Sequence, residues 1–347
     1  MISPKNILII RTDRIGDVVL TLPLASILKK HFPNSIITFL LREYTKPLAV
    51  NNKLIDEIIT IDGDFSNLTY LEKIKRLKKK FDLAIIAFPT FSIAALLFFS
   101  GIKIRIGSGY RWYSFLFNYK VFEHRKDVKF HELEYNIHLL KAIGINEVIT
   151  PSNVDFSLHS SAKSRQQIQS ELEKHRVSLN KKIIIIHPGS GGSSIDLPIN
   201  SMKKLIEKLA YDLDIEILIT GNDKDEELCK MLVVNEKTKN FAGKFNLENM
   251  IALIEKSELL IANSTGPIHI AAALNKHVIG FYPKVLVCSE KRWGPYTEKK
   301  KVFVPQIDCN NCTIEQCERL NCMATIDVDE VYKTVVSFLD NSELEKK

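Results

Sequence analysis

The chain has 347 residues, 45% hydrophobic and 26% charged, with a formal net charge of +7. That length exceeds one typical core, so two domains of about 150–170 residues are expected. The positive surplus suits anionic ligands or an acidic membrane surface, but the basic residues are scattered rather than striped, which argues against a nucleic-acid partner.

Arg11, Asp13 and Arg14 interrupt the first apolar run, and no small-residue cleavage site follows, so a cytoplasmic protein is expected. The pattern predicts a strand at Ile7–Ile10, one helix over Val18–His31, strands at Ile36–Leu41 and Glu57–Ile61, and a basic helix over Leu68–Lys80. Leu83–Ile102 is uncharged and long enough to span a bilayer. Ala87-Phe88-Pro89-Thr90 divides it, however, into a buried strand and a helix over Ile93–Phe99. A strand or loop begins at Arg105-Ile106-Gly107, and a helix covers Glu132–Ile143, with Gly144 as its stop.

Pro151 opens a polar stretch that leads into a charged connecting helix, Ala162–Arg176. The alternation then restarts with strand Ile183–Ile186, helix Ile199–Tyr211 and strand Glu216–Thr220. Helix Leu247–Lys256 and strands Leu259–Ala262 and Val278–Tyr282 follow, and helix Val328–Leu339 closes the chain. Strands alternating with helices imply parallel sheets covered on both faces, with ligands beyond the carboxyl ends of the strands. The expected fold is therefore α/β with two Rossmann-like domains facing a cleft. Residues 1–160 form the first domain, 161–180 a linker helix, 181–325 the second domain, and 326–347 a terminal helix.

Three loops carry the candidate chemistry. Asn263-Ser264-Thr265-Gly266-Pro267-Ile268-His269 reads as strand, tight turn and helix, which aims backbone N–H groups and the positive end of a helix dipole at one point. His187-Pro188-Gly189-Ser190-Gly191-Gly192-Ser193-Ser194 adds glycines for close approach and hydroxyl donors. Together the two loops predict a nucleotide diphosphate site; neither is a Walker loop or a GxGxxG dinucleotide fingerprint. His269 either contacts a phosphate or is structural. In the third loop, Arg11-Thr12-Asp13-Arg14-Ile15-Gly16-Asp17, Asp17 is a general base or an N-cap, and Asp13 is the competing base. Arg11 and Arg14 are candidate anion binders on the acceptor side, or simply partners for the two aspartates. Cys309, Cys312, Cys317 and Cys322 start with a CxxC spacing open to metal, but they lack a second pair or a histidine, so buried structural thiols are the expectation.

With these residues assembled, the chain resembles the bacterial heptosyltransferases of glycosyltransferase family 9 along nearly its whole length. The resemblance is carried by Asp13 to Pro23, Arg105-Ile106-Gly107, His131-Glu132 to Gly144, His187-Pro188-Gly189, Ala242-Gly243-Lys244, Ser264 to Leu274, Arg292 to Tyr296 and the cysteine-bearing tail. It implies a GT-B fold whose first domain binds a lipopolysaccharide core or other glycolipid acceptor. The second domain would bind the nucleotide-sugar donor, ADP-heptose, and the terminal helix would cross back onto the first domain. It also implies inverting transfer without cofactor or bound metal, at the cytoplasmic side of the inner membrane. By the same resemblance Asp17 is the base, and Ser190, Gly191, Ser264, Thr265, Gly266 and His269 meet the donor. Phe245 then lies near the donor's nucleobase and Asp225 near its ribose.

Two positions depart from the family pattern. A lysine expected just before a Trp-Pro pair is missing from Ile195-Asp196-Leu197-Pro198, and Ser264 stands where the well-known members have an aspartate. They motivate a rival reading, a catalytically silent binding subunit. A nucleotide-sugar epimerase on the same scaffold is the other alternative.

Overall fold

Two long sets of β-branched and leucine-rich runs become two parallel sheets in the computed structural model, which describes residues 2–307 and 313–344. The chain divides into two units, Met1–Leu158 and His159–Lys347.

In the first unit the strands are β1 (Asn6–Ile10), β2 (Ile36–Leu41), β3 (Glu57–Thr60), β4 (Leu83–Ile86), β5 (Ile104–Ser108) and β6 (Tyr119–Val121). Their order is β3-β2-β1-β4-β5-β6, and every pairing is parallel. Leu8 pairs with Thr38 on one side and Ala84 on the other, so β1 is central and fully enclosed. The strand order reverses between β1 and β4, the place where ligands of doubly wound sheets collect.

The second unit repeats this plan with β7 (Lys182–His187), β8 (Ile215–Ile219), β9 (Thr238–Asn240), β10 (Leu259–Asn263), β11 (His277–Phe281) and β12 (Lys300–Phe303). The order β12-β11-β10-β7-β8-β9 makes β7 and β10 its switch point.

Several expected elements differ in detail. The single helix expected over Val18–His31 is two, Ile15–Val19 and Pro23–His31, because Pro23 lacks an N–H and starts a new helix at its first position. The expected Glu132–Ile143 helix is α-helical only to His138 and then tightens to a 3₁₀ turn, which ends at Gly144 with φ +84°. The uncharged stretch from Leu83 is β4 followed by the helix Phe91–Phe99, capped by Thr90, which accepts from the Ile93 N–H at 3.3 Å. Among the described residues no helix is long and apolar enough to cross a membrane.

The helix Ala162–Lys174, expected as a linker, belongs to the second unit: Ser161 and Ser164 each donate to Glu248 at 2.8 Å, joining it to the helix Leu247–Lys256. The closing helix Val328–Leu344, expected against the first domain, buries Val331, Val335 and Leu339 in the core of the second unit, beside the helix Ile199–Asp212.

Candidate active site

Arg11 follows the last residue of β1 and is only 2% exposed. Burial of so polar a group is tolerable only if every donor is met. Arg11 Nε donates to Asp13 at 2.8 Å, Nη2 to Asp17, and Nη1 to Asn136 at 3.1 Å and to the Ala87 carbonyl at 3.5 Å. Nη1 also lies 3.4 Å from Glu132, which takes a second guanidinium from Arg125. Asn136 in turn donates to the Leu20 carbonyl at 3.0 Å and the Thr21 hydroxyl at 3.2 Å, and Thr21 donates to the Asp17 carbonyl at 2.7 Å. One buried network thus fixes Asp13 and Asp17 on the loop after β1.

The electrostatics divide the two aspartates' surroundings. Burial raises the Asp13 pKa to about 6; Arg11 opposes that shift and the Asp17 carboxylate adds to it. Burial also acts against charge on Arg11, but Asp17, Asp13 and Glu132 outweigh it and hold the guanidinium charged. Arg14, the other expected anion binder, caps the helix Ile15–Val19 through its backbone only, and its side chain is exposed.

In the second unit the carboxyl ends of β7, β8 and β10 bring the expected donor loops together. Ser193 of the glycine loop donates to the Ser264 carbonyl at 2.9 Å. Asn263, at the end of β10, accepts from the Leu197 N–H at 2.8 Å and donates to the Pro188 carbonyl, so it ties the same loop from both ends. Gly191 and Gly192 have φ of +59° and +76°, left-handed backbone that favours glycine. Thr265, extended before the helix Gly266–Ala273, makes no side-chain cap, which leaves that helix start to another acceptor. His269 is buried in the first turn, and Ser264 hydrogen-bonds the Tyr282 phenol.

Around this loop the acids are unequal in use. Asp225 accepts from the Asn222 N–H at 2.9 Å, and its carboxylate stands where a Cβ on Gly189 would come within 3.0 Å. Asp196 accepts from the Ser190 N–H at 3.2 Å through one oxygen, while its other oxygen and the Ser194 hydroxyl are buried without a partner. Burial raises the Asp196 pKa against the Ser190 hydrogen bonds. His187 hydrogen-bonds Thr220 at 3.0 Å, and burial lowers its pKa to about 4, so it is neutral at physiological pH. Phe245 stacks on Phe241 with centroids 5.3 Å apart.

Cys317 and Cys322 are buried, as expected of structural thiols, whereas Cys309 and Cys312 lie outside the described residues. Among the described residues no group of three metal-ligating side chains occurs.

The family model described as glycosyltransferase family 9 (heptosyltransferase) matches residues 71–323. The chain belongs to that family. This family 9 glycosyltransferase is 30% identical over 305 residues to a Haemophilus influenzae protein, a match covering 86% of this chain and 88% of the relative. A family 9 glycosyltransferase from Veillonella parvula superposes with a TM-score of 0.81 at 21% identity, covering 97% of each chain. The Escherichia coli ADP-heptose lps heptosyltransferase II superposes with a TM-score of 0.79 at 20% identity, over 97% of this chain and 99% of that one. The two doubly wound units are thus those of the GT-B fold.

Glu132, Asn136 and Arg125 join the site only in the structure. Glu132 and Asn136 stand four apart on one helix, and both are almost fully buried. A pair of polar residues at that spacing on a buried face was the available signal. Asn263 opens the expected Asn263–His269 loop, but nothing local in the sequence marks it as the tie to Pro188 and Leu197.

Proposed function

We propose that this glycosyltransferase moves heptose from ADP-heptose onto a lipopolysaccharide core acceptor, with inversion, at the cytoplasmic face of the inner membrane. Family membership supports heptosyl transfer, and the substrates named for the E. coli structural neighbour support the donor and acceptor. Asp17 takes a proton from an acceptor hydroxyl, which attacks the anomeric carbon as the nucleotide diphosphate leaves from the opposite face. Arg11 orients Asp17, and the Asp13 carboxyl shares the same guanidinium.

The start of the helix Gly266–Ala273 and the Gly189–Ser194 loop offer N–H groups and hydroxyls to the diphosphate, whose negative charge grows as the bond breaks. Ser190, Gly191, Ser264, Thr265, Gly266 and His269 are assigned to the phosphates and donor sugar, Asp225 to the ribose, and Phe245 to the surroundings of the donor's nucleobase. The observation that carries this reading is the Ser193–Ser264 hydrogen bond, which joins the two anion-binding turns into one loop cluster.

The lysine missing from Ile195-Asp196-Leu197-Pro198 and the serine at Ser264 support the rival silent-subunit reading, and the Asp196 carboxylate beside Ile195 adds negative charge to the same loop. Thermal stabilisation by ADP, UDP, GDP and CDP, with ADP-heptose beside them, separates the two. A ligand at one hundred times its dissociation constant adds about 2.7 kcal/mol. A shift confined to ADP and ADP-heptose upholds heptosyl transfer, a preference for another nucleotide redirects the donor, and no shift favours the silent subunit.

A further inference from the structure

The first unit carries an apolar face that its own core leaves uncovered. The helix Phe91–Phe99 buries Ile93, Ala94, Leu96 and Leu97, yet it is apolar on its outer side too, where Phe99 is 61% exposed. A helix apolar all round is normally enclosed by protein or lipid. Phe91 extends the face by stacking on Trp112 at 5.0 Å, and Trp112 is 74% exposed. Phe115 follows on the next turn at 66% exposed, while its neighbours Leu116 and Phe117 are buried. On the other side, Leu71 is 69% exposed on the helix Tyr70–Leu77, which is joined to the first helix by Tyr70 donating to the Ser92 carbonyl at 3.1 Å.

The charge around this face is mostly positive, with Glu72 on the Tyr70–Leu77 helix as an exposed acid among the cations. Residues 91–122 contain Lys103, Arg105, Arg111 and Lys120 and no acidic residue. The Tyr70–Leu77 helix and the turn after it add exposed Lys75, Arg76, Lys78 and Lys79. Aromatic side chains flanked by cations match the boundary between acyl chains and anionic headgroups. A second copy of the chain is a poor occupant, because two-fold pairing would set these cations against themselves.

We propose that this face, centred on Phe99, Trp112 and Phe115 and bordered by Lys75, Lys78 and Lys79, docks on an anionic phospholipid bilayer. It adjoins the carboxylate network: Arg11 donates to the Ala87 carbonyl, four residues before Phe91, and Tyr113 donates to the Pro89 carbonyl at 2.7 Å. Docking here would hold the Asp13–Asp17 loop near the lipid surface, where a lipid-linked acceptor resides. The placement serves the proposed acceptor but does not depend on it, since the partner is phospholipid alone.

The chain has two tryptophans, so a Trp293→Phe variant leaves Trp112 as the reporter. The full-length variant is mixed with vesicles of phosphatidylglycerol and phosphatidylethanolamine, or of phosphatidylcholine, all free of lipopolysaccharide. Docking predicts co-sedimentation and a blue-shifted Trp112 emission, quenched by brominated acyl chains, with the anionic vesicles only. The triple substitutions Phe99→Ser/Trp112→Ser/Phe115→Ser and Lys75→Glu/Lys78→Glu/Lys79→Glu should each weaken sedimentation of the otherwise wild-type chain by about tenfold or more. Unchanged circular dichroism and melting temperature would establish that these variants remain folded. Equal binding to phosphatidylcholine, an unresponsive Trp112, or undiminished sedimentation of the folded triple variants would overturn the proposal. So would binding that requires lipopolysaccharide in the vesicles, or a vesicle-free dimer that the aromatic triple variant abolishes.

Discussion

Arg11 Nη1 lies 3.4 Å from the Glu132 carboxylate, joining residues 121 positions apart, with both side chains almost closed to solvent. Arg125 shares that carboxylate, while Asp13 and Asp17 share the Arg11 guanidinium. Two guanidiniums therefore face three carboxylates in a low-dielectric setting. The least stabilised negative charge falls on Asp13, in keeping with its raised pKa.

Removing Glu132 would leave two cations short of their shared partner. Glu132→Ala is expected to destabilise the fold by about 3–5 kcal/mol, because breaking a buried pair strands the remaining charge. Urea denaturation followed by circular dichroism measures this, and a loss below about 1 kcal/mol would mean that water substitutes for the carboxylate.

Asp17→Asn keeps the size of the side chain and removes its basicity. Sugar transfer should fall by about 10²–10⁴-fold while calorimetric ADP affinity stays within about twofold. If transfer survives and Asp13→Asn abolishes it instead, Asp13 is the base.

Asp13 should give the reaction a pH signature. Its pKa is raised from 3.8 to about 6, so between those values the folded state holds more protons than the unfolded state. Its contribution to stability therefore falls as pH rises from about 4 to about 6 and levels off above that window. The melting temperature of Asp13→Asn relative to wild type should rise across this interval. With Asp17 as base, kcat/KM should increase through pH 6 in the wild type, and that inflection should vanish in Asp13→Asn while activity remains. Because the aspartates interact, the measured value belongs to the pair.

Asp196 stands in the donor loop with one carboxylate oxygen unpartnered. Asp196→Lys would exchange a repulsive charge for an attractive one beside the diphosphate. ADP affinity measured by titration calorimetry should rise by about tenfold or more, given about 1.5–3 kcal/mol for a charge-assisted contact. Unchanged affinity would place the diphosphate away from this side chain.

Much of the fold was legible because its signals are local. β1, β2, β4, β7, β8 and β10 are apolar runs that read as buried strands at once. The edge strands β6, β9 and β12 were not, since Tyr-Lys-Val, Thr-Lys-Asn and Lys-Lys-Val-Phe are short and charged, as exposed sheet edges often are. The break at Pro23 was available in the sequence, but the apolar periodicity on either side hid it.

The sequence by itself determined the two doubly wound units and the loops that could hold anions or carboxylates, because strand pattern, glycine and turn chemistry act over a few residues. Tertiary structure alone decided which side chains share a charge. Arg11 reaches Glu132 and Asn136 only when β1 lies beside the helix Glu132–His138, and Ser193 reaches Ser264 only when β7 pairs with β10. Desolvation and ion pairing depend on distance through space, so the raised pKa of Asp13 and the neutrality of His187 had no local signature in the chain.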